Sequence, residues 1–167
     1  MDAKIKLRTS YKFVLRDKFG NIKDVRETHN LVTTVGLNNI LDIYFENGTP
    51  ATTWYLGLIA AGASLDASDT MSSHSGWTEE TSYDESTRQS IVWNGAASSG
   101  SITNSSSPCV FTMNASVTVY GAFKCDDNTK SGTSGTLYGE AAFDGGSITA
   151  DDDDTITVTV TCTATSN

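Results

Sequence analysis

Lys4-Ile5-Lys6-Leu7-Arg8-Thr9-Ser10-Tyr11-Lys12-Phe13-Val14-Leu15-Arg16 alternates with period two. Ile5, Leu7, Thr9, Tyr11, Phe13 and Leu15 fall on one side, and Lys4, Lys6, Arg8, Ser10, Lys12 and Arg16 on the other. Successive side chains of a strand point to opposite faces, so this pattern predicts a strand with one buried face. Residues 17–21 read as a turn, because Gly20 and Asn21 tolerate positive φ. Ile22–Val25 then returns as a hairpin partner.

The other end of the chain repeats the pattern. Ile156, Val158, Val160, Cys162 and Ala164 share one face, and Thr155, Thr157, Thr159, Thr161 and Thr163 the other. Between the two ends, strands are predicted over 87–94, 108–113, 116–125 and 135–143, separated by Ser/Gly/Asn runs such as 95–107 and 126–135. Short strands at close spacing predict an all-β fold, a β-sandwich or jelly-roll-like body. Residues 54–59, Trp-Tyr-Leu-Gly-Leu-Ile, are apolar almost throughout, as a central strand is. Residues 60–84 turn polar, with Trp77 as the main anchor, and are expected to form a long exposed excursion.

One short helix is predicted over about residues 34–46. Leu37, Ile40, Leu41 and Tyr44 recur at helical spacing, Thr33 or Thr34 serves as N-cap, and Gly48 and Pro50 are stop signals. The expectation is that its apolar side lids one end of the β core. The 167 residues fit one domain, 1–167, with the basic hairpin 1–27 as a docking arm.

Charge is distributed unevenly. The formal net charge is −9, yet residues 1–30 hold eight of the eleven basic residues and are net +4. The remaining chain is net −13. Opposite signs at two ends predict two different neighbours. An acidic body repels phosphate, so nucleic acid is not the expected partner. No apolar run reaches the roughly 20 residues a membrane helix needs, and none follows Met1 as in a signal peptide. The expectation is therefore a protein made in the cytoplasm, with no membrane partner.

No arrangement of residues selects a reaction. There is no GxSxG elbow, and His29 and His74 lie in unlike contexts. No phosphate-binding loop and no zinc spacing occurs. Cys109, Cys125 and Cys162 read as buried free thiols. Asp151–Asp154 is the best run for calcium, with Asp126 and Asp127 or Asp66 and Asp69 as possible completions in space. Four successive aspartates cannot all point one way, however, and a solvated acidic turn is the plainer reading. Asp84, Glu85 and Glu140 are carboxylates that nothing singles out for glycoside hydrolysis. Trp54, Trp77 and Trp93 either fill the core or offer a sugar-stacking platform, with Trp77 as the possible glycan contact. No cofactor is expected, and the chain is read as non-enzymatic. The candidate partner-binding residues are Lys4, Lys6, Arg8, Lys12 and Arg16, on one face of one strand. Read blandly, they are a solvated strand face, or belong to an edge strand whose lysines block aggregation.

Several segments, taken in order, resemble the capsid decoration (cement) proteins of tailed bacteriophages. They are residues 29–37 (His-Asn-Leu-Val-Thr-Thr-Val-Gly-Leu), 54–58 (Trp-Tyr-Leu-Gly-Leu) and 83–90 (Tyr-Asp-Glu-Ser-Thr-Arg-Gln-Ser). Tyr120-Gly121-Ala122-Phe123 with Gly135-Thr136-Leu137-Tyr138 follows, then the aspartate turn leading into Thr155-Ile156-Thr157-Val158. Asp153-Asp154 stands where that pattern has Gly-Asp, and the basic first hairpin has no counterpart in it. The resemblance implies a sandwich or jelly-roll body, often a homotrimer, on the outer surface of a phage capsid. Its partner would be the major capsid protein, and it would stabilise the shell without chemistry. Similar sequences occur among tail and fibre components, which implies the alternative of a carbohydrate- or receptor-binding or structural module there.

Overall fold

The computed structural model describes residues 4–62 and 64–166. Residues 1–3 of the basic hairpin thus lie outside the described residues. In chain order, β1 (Ile5–Arg16), β2 (Ile22–His29) and β3 (Leu31–Val32) precede the helix α1 (Thr34–Phe45). Then come β4 (Tyr55–Gly62), β5 (Trp77–Glu80), β6 (Gln89–Ser90), β7 (Ser101–Thr103), β8 (Cys109–Thr112) and β9 (Val117–Val119). The chain ends with β10 (Gly121–Cys125), β11 (Leu137–Ala142), β12 (Ile148–Ala150) and β13 (Thr155–Ser166).

The protein is all-β with one short helix, and its strands form two main antiparallel sheets. The first runs β2-β1-β13, and the far edge of β13 takes β8 along its first half and β7 along its second. The second runs β3-β11-β10-β4, with β6 and β5 sharing the far edge of β4. A separate pair joins β9 to β12.

The two terminal strands pair along their whole length, Ile5 with Ser166 through Arg16 with Thr155. Their apolar sets therefore share one face. Tyr11, Phe13, Leu15, Ile156, Val158 and Val160 are buried against Leu56, Leu58, Ala122 and Ala141 of the second sheet. Each large side chain so buried contributes roughly 1.5–3 kcal/mol.

The second sheet is covered on its other face too. Ile59, Phe123, Cys125 and Leu137 form a smaller core there with Met71 and Trp77, and Leu65 and Val35 pack against it. This explains why residues 54–59 lack alternation: a strand covered on both sides reads as a continuous apolar run. Gly57 completes the fit, because a Cβ there would strike the ring of Phe123.

Three expectations need correction. The excursion after β4 is not an exposed arm. It folds back as β5, pairs with β4, and covers the second sheet. Trp77 is accordingly 3% exposed rather than presented to solvent. The helix has the predicted span and its N-cap, with Thr33 Oγ1 accepting from Gly36 N at 3.1 Å. Its packing side differs, however. Gly36 lies against the backbone of Tyr138, where a Cβ would clash, while Leu37, Leu41 and Tyr44 turn outward. Finally, residues 87–94 yield only the two-residue β6. Arg88 N bonds Asn128 O instead of a strand neighbour, which takes this backbone off the ladder.

Candidate partner-binding surfaces

The first sheet turns its outer face to solvent. On β1, Lys6, Arg8 and Lys12 are exposed and Arg16 is half-buried, and Lys4, just before the strand, is exposed too. From Lys6 to Arg16 the strand spreads these cations along roughly 33 Å. The register sets them beside the threonines of β13: Lys6 faces Thr165, Arg8 faces Thr163 and Lys12 faces Thr159. On the other flank, Lys12 meets Glu27 of β2 at 3.8 Å, both side chains being exposed. Arg16 donates to Gly20 O at 3.0 Å and so braces the hairpin turn. Among the described residues, Lys4, Lys6 and Arg8 have no carboxylate partner. The strand thus brings Lys6, Arg8, Lys12 and Arg16 onto one face, with Lys4 one residue before its start.

The ends of β1 and β13 run past the core as a two-stranded ribbon. Tyr11 and Phe13 are fully buried, whereas Ile5 is 78% exposed on the same face of the strand. Opposite this overhang stands α1. Ile5, Leu7 and Ala164 on one side, with Leu37, Ile40, Leu41, Tyr44 and Phe45 on the other, enclose an apolar groove of about 640 Å³. The sequence displayed the helical stripe, but its period reports only that these residues share a face, not whether that face is covered. The one available signal was strand length, since an apolar alternation of twelve residues outruns a sandwich core.

A second depression, about 840 Å³, lies beside β4 and β6. Thr52, Thr53, Trp54, Tyr55, Gln89 and Trp93 are among its walls. Trp54 and Trp93 are half-buried, and Trp54 packs edge-on against Tyr138 with centroids 5.5 Å apart. Trp77 is elsewhere, inside the second core, where His74 stacks on it at 3.8 Å and its Nε1 donates to Glu140 Oε2 at 2.7 Å. It offers no free face to a sugar.

The carboxylates are engaged within the fold. Glu140 is buried and accepts from Trp77 and, through Oε1, from Asp66 N at 2.9 Å. Burial pushes its carboxyl up to about 7, against the Trp77 hydrogen bond, and neighbouring Asp69 adds to the rise. Glu85 accepts from Thr112. In the aspartate turn, Lys23 Nζ bridges Asp151 at 2.7 Å and buried Asp154 at 2.6 Å. Asp66 and Asp69 sit over β11, and Asp126 and Asp127 lie in the connection after β10, caught by Thr136 N and Thr129 N. The structure does not gather these aspartates into one site.

The chain matches no family model, and no curated protein matches it.

Proposed function

We propose that the chain is a structural component of a tailed-phage virion, a capsid decoration protein that binds the major capsid protein and acts without catalysis. The observation that carries this reading is the exposed row of Lys4, Lys6 and Arg8 at the start of β1 in an otherwise acidic protein. Such a row steers association with an acidic surface and sets register more than it adds affinity. The residues that alternate with it, Ile5 and Leu7, line the apolar groove, so one stretch of β1 offers charge on one side and apolar area on the other. In this reading the protein is made in the host cytoplasm, forms a homotrimer and sits on the outer capsid surface. Many copies bound only to the assembled shell shift the equilibrium toward that shell.

The test is a capsid-binding assay with Lys4→Glu, Lys6→Glu and Arg8→Glu combined. Occupancy is expected to fall about tenfold or more, equivalent to about 1.4 kcal/mol, while circular dichroism stays unchanged. Undiminished occupancy overturns the proposal.

The cleft at Trp54, Tyr55 and Trp93 favours one second reading, a glycan- or receptor-binding module on a tail or fibre. Half-buried tryptophans beside polar groups suit the apolar face and hydroxyls of a sugar. Trp93→Ala would then abolish binding on a glycan array. Copy number in purified virions separates the readings: hundreds indicate decoration and a handful a tail part.

A further inference from the structure

The three cysteines occupy three different settings. Cys109 is buried, and desolvation pushes its thiol up to about 12. Cys125 is also buried and is raised to about 11. Both are therefore poor sources of thiolate, the form that reacts with oxidants. Cys162 is half-buried and borders a cavity of about 190 Å³ whose walls include Leu7, Arg8 and Tyr138.

Lys124 Nζ lies 3.4 Å from Cys162 Sγ. This lysine is 3% exposed and comes from the opposite sheet, on β10. Among the described residues it has no carboxylate partner. Its surroundings are the Tyr138 ring, 3.6 Å from Nζ to centroid, and the Trp54 ring at 5.7 Å. Aromatic faces hold the cation in place, but burial lowers the lysine's pKa and makes the neutral amine accessible. Thr9 Oγ1, 3.4 Å from the sulfur, completes the polar shell.

We propose that Cys162 and Lys124 form an oxidation-dependent covalent staple between the two sheets, a sulfur–nitrogen bond made when a peroxide reaches Cys162. In the first step the Cys162 thiolate attacks hydrogen peroxide. Sulfur gains one oxygen as sulfenic acid and loses two electrons, and the other oxygen leaves as water. In the second step the lone pair of Lys124 Nζ attacks that sulfur. The S–N bond forms, the S–O bond breaks, and the hydroxyl departs as water with a proton from the amine. Overall, thiol, amine and peroxide give a sulfenamide and two waters. Sulfenic acids condense in this manner with nitrogen or thiol nucleophiles. Reacting atoms about 3–3.5 Å apart are already in a near-attack arrangement. The staple spans 38 residues of chain and ties β10 to β13. It stands independently of the proposed virion role.

Intact-mass spectrometry of the purified chain with and without hydrogen peroxide tests it. The expected product has lost two hydrogens, retains two alkylatable thiols of the original three, and yields a peptide linking residues 124 and 162. Dithiothreitol is expected to reverse it, and the melting temperature to rise by several degrees until it does. Cys109→Ser and Cys125→Ser are expected to retain the product, and Cys162→Ser to lose it. Lys124→Met, which fills a similar volume without a nucleophile, is expected to gain oxygen at Cys162 instead. If Lys124→Met fails to fold, the wild-type mass and linked peptide still decide. Three alkylatable thiols after peroxide, a link between other residues, or a bridge that keeps an extra oxygen overturns the proposal.

Discussion

The outer faces of the two sheets are built on opposite plans. On the first sheet, Lys6, Arg8 and Lys12 alternate with a buried set and lie beside the threonines of β13. Such a face is at home in water, and none of the described residues covers it. On the second sheet, Ile59, Phe123, Cys125 and Leu137 face away from the main core and are apolar as well. That face demands a third layer. The chain supplies one from the segment around Met71 and Trp77, with Val35 of α1 at its margin. The segment's polar composition is no obstacle, because a few large anchors suffice once β5 is hydrogen-bonded to β4. Of the two outer faces, the covered one therefore adds apolar burial to stability and the bare one adds little.

Breaking the covered face at its buried ion pair should have the largest effect. Arg88 is fully buried 5.0 Å above the Phe123 ring and grips both oxygens of Glu79, at 2.9 and 2.8 Å. It also donates to Asp127 O and Gly132 O. Arg88→Met strands Glu79 in a dry site and is expected to cost about 3–5 kcal/mol in urea unfolding.

The pH dependence comes next. Glu140 is raised to about 7 in the folded chain, from the ordinary glutamate value of 4.5. The folded state holds this proton more tightly than the unfolded state, so its contribution is complete below about pH 4.5 and lost as pH rises to about 7. The loss reaches about 3 kcal/mol. Denaturation midpoints between pH 4.5 and 8 should fall accordingly, and Glu140→Gln should flatten the slope. A His74→Gln control separates the imidazole stacked on Trp77 from the carboxyl. Trp77→Phe is the milder lesion. It keeps most of the apolar contact but leaves Glu140 Oε2 without its donor, at a cost of about 1–3 kcal/mol.

Much of this contrast was legible in residues, and the rest was not for identifiable reasons. The alternation of 4–16 and 154–164 marked two strands, and the face it selects is buried from Thr9 to Leu15 and from Ile156 to Val160, though not at Ile5 or Ala164. The helix span was legible from Thr33 and Gly48. Its packing was not, because the close approach of Gly36 to Tyr138 joins residues a hundred positions apart, and a glycine in a helix looks like a defect until its neighbour is known. The excursion misled because polar composition outweighed one tryptophan. The hint was the uninterrupted apolar run of β4, which already required cover on both sides. Of the candidate site, the basic row was legible and the apolar groove was not. Ile5, Leu7, Leu37 and Leu41 each fit a buried pattern, and only the overhang of the ribbon shows that the core stops short of them.

The bare face should give the smallest effect on stability and so sharpen the contrast most. Lys4, Lys6 and Arg8 make no ion pair among the described residues, and the face they occupy is open to solvent. Replacing all three by serine is expected to shift unfolding by no more than about 0.5 kcal/mol, the usual range for surface substitutions. The groove gives a companion test, since Tyr44 and Phe45 are 79% and 80% exposed. Tyr44→Ser with Phe45→Ser removes apolar surface that the isolated chain never buries, and should leave the urea midpoint nearly unchanged. A large loss would mean that α1 and the ribbon close on one another in the free protein. The groove would then be an internal contact rather than a surface left for a partner.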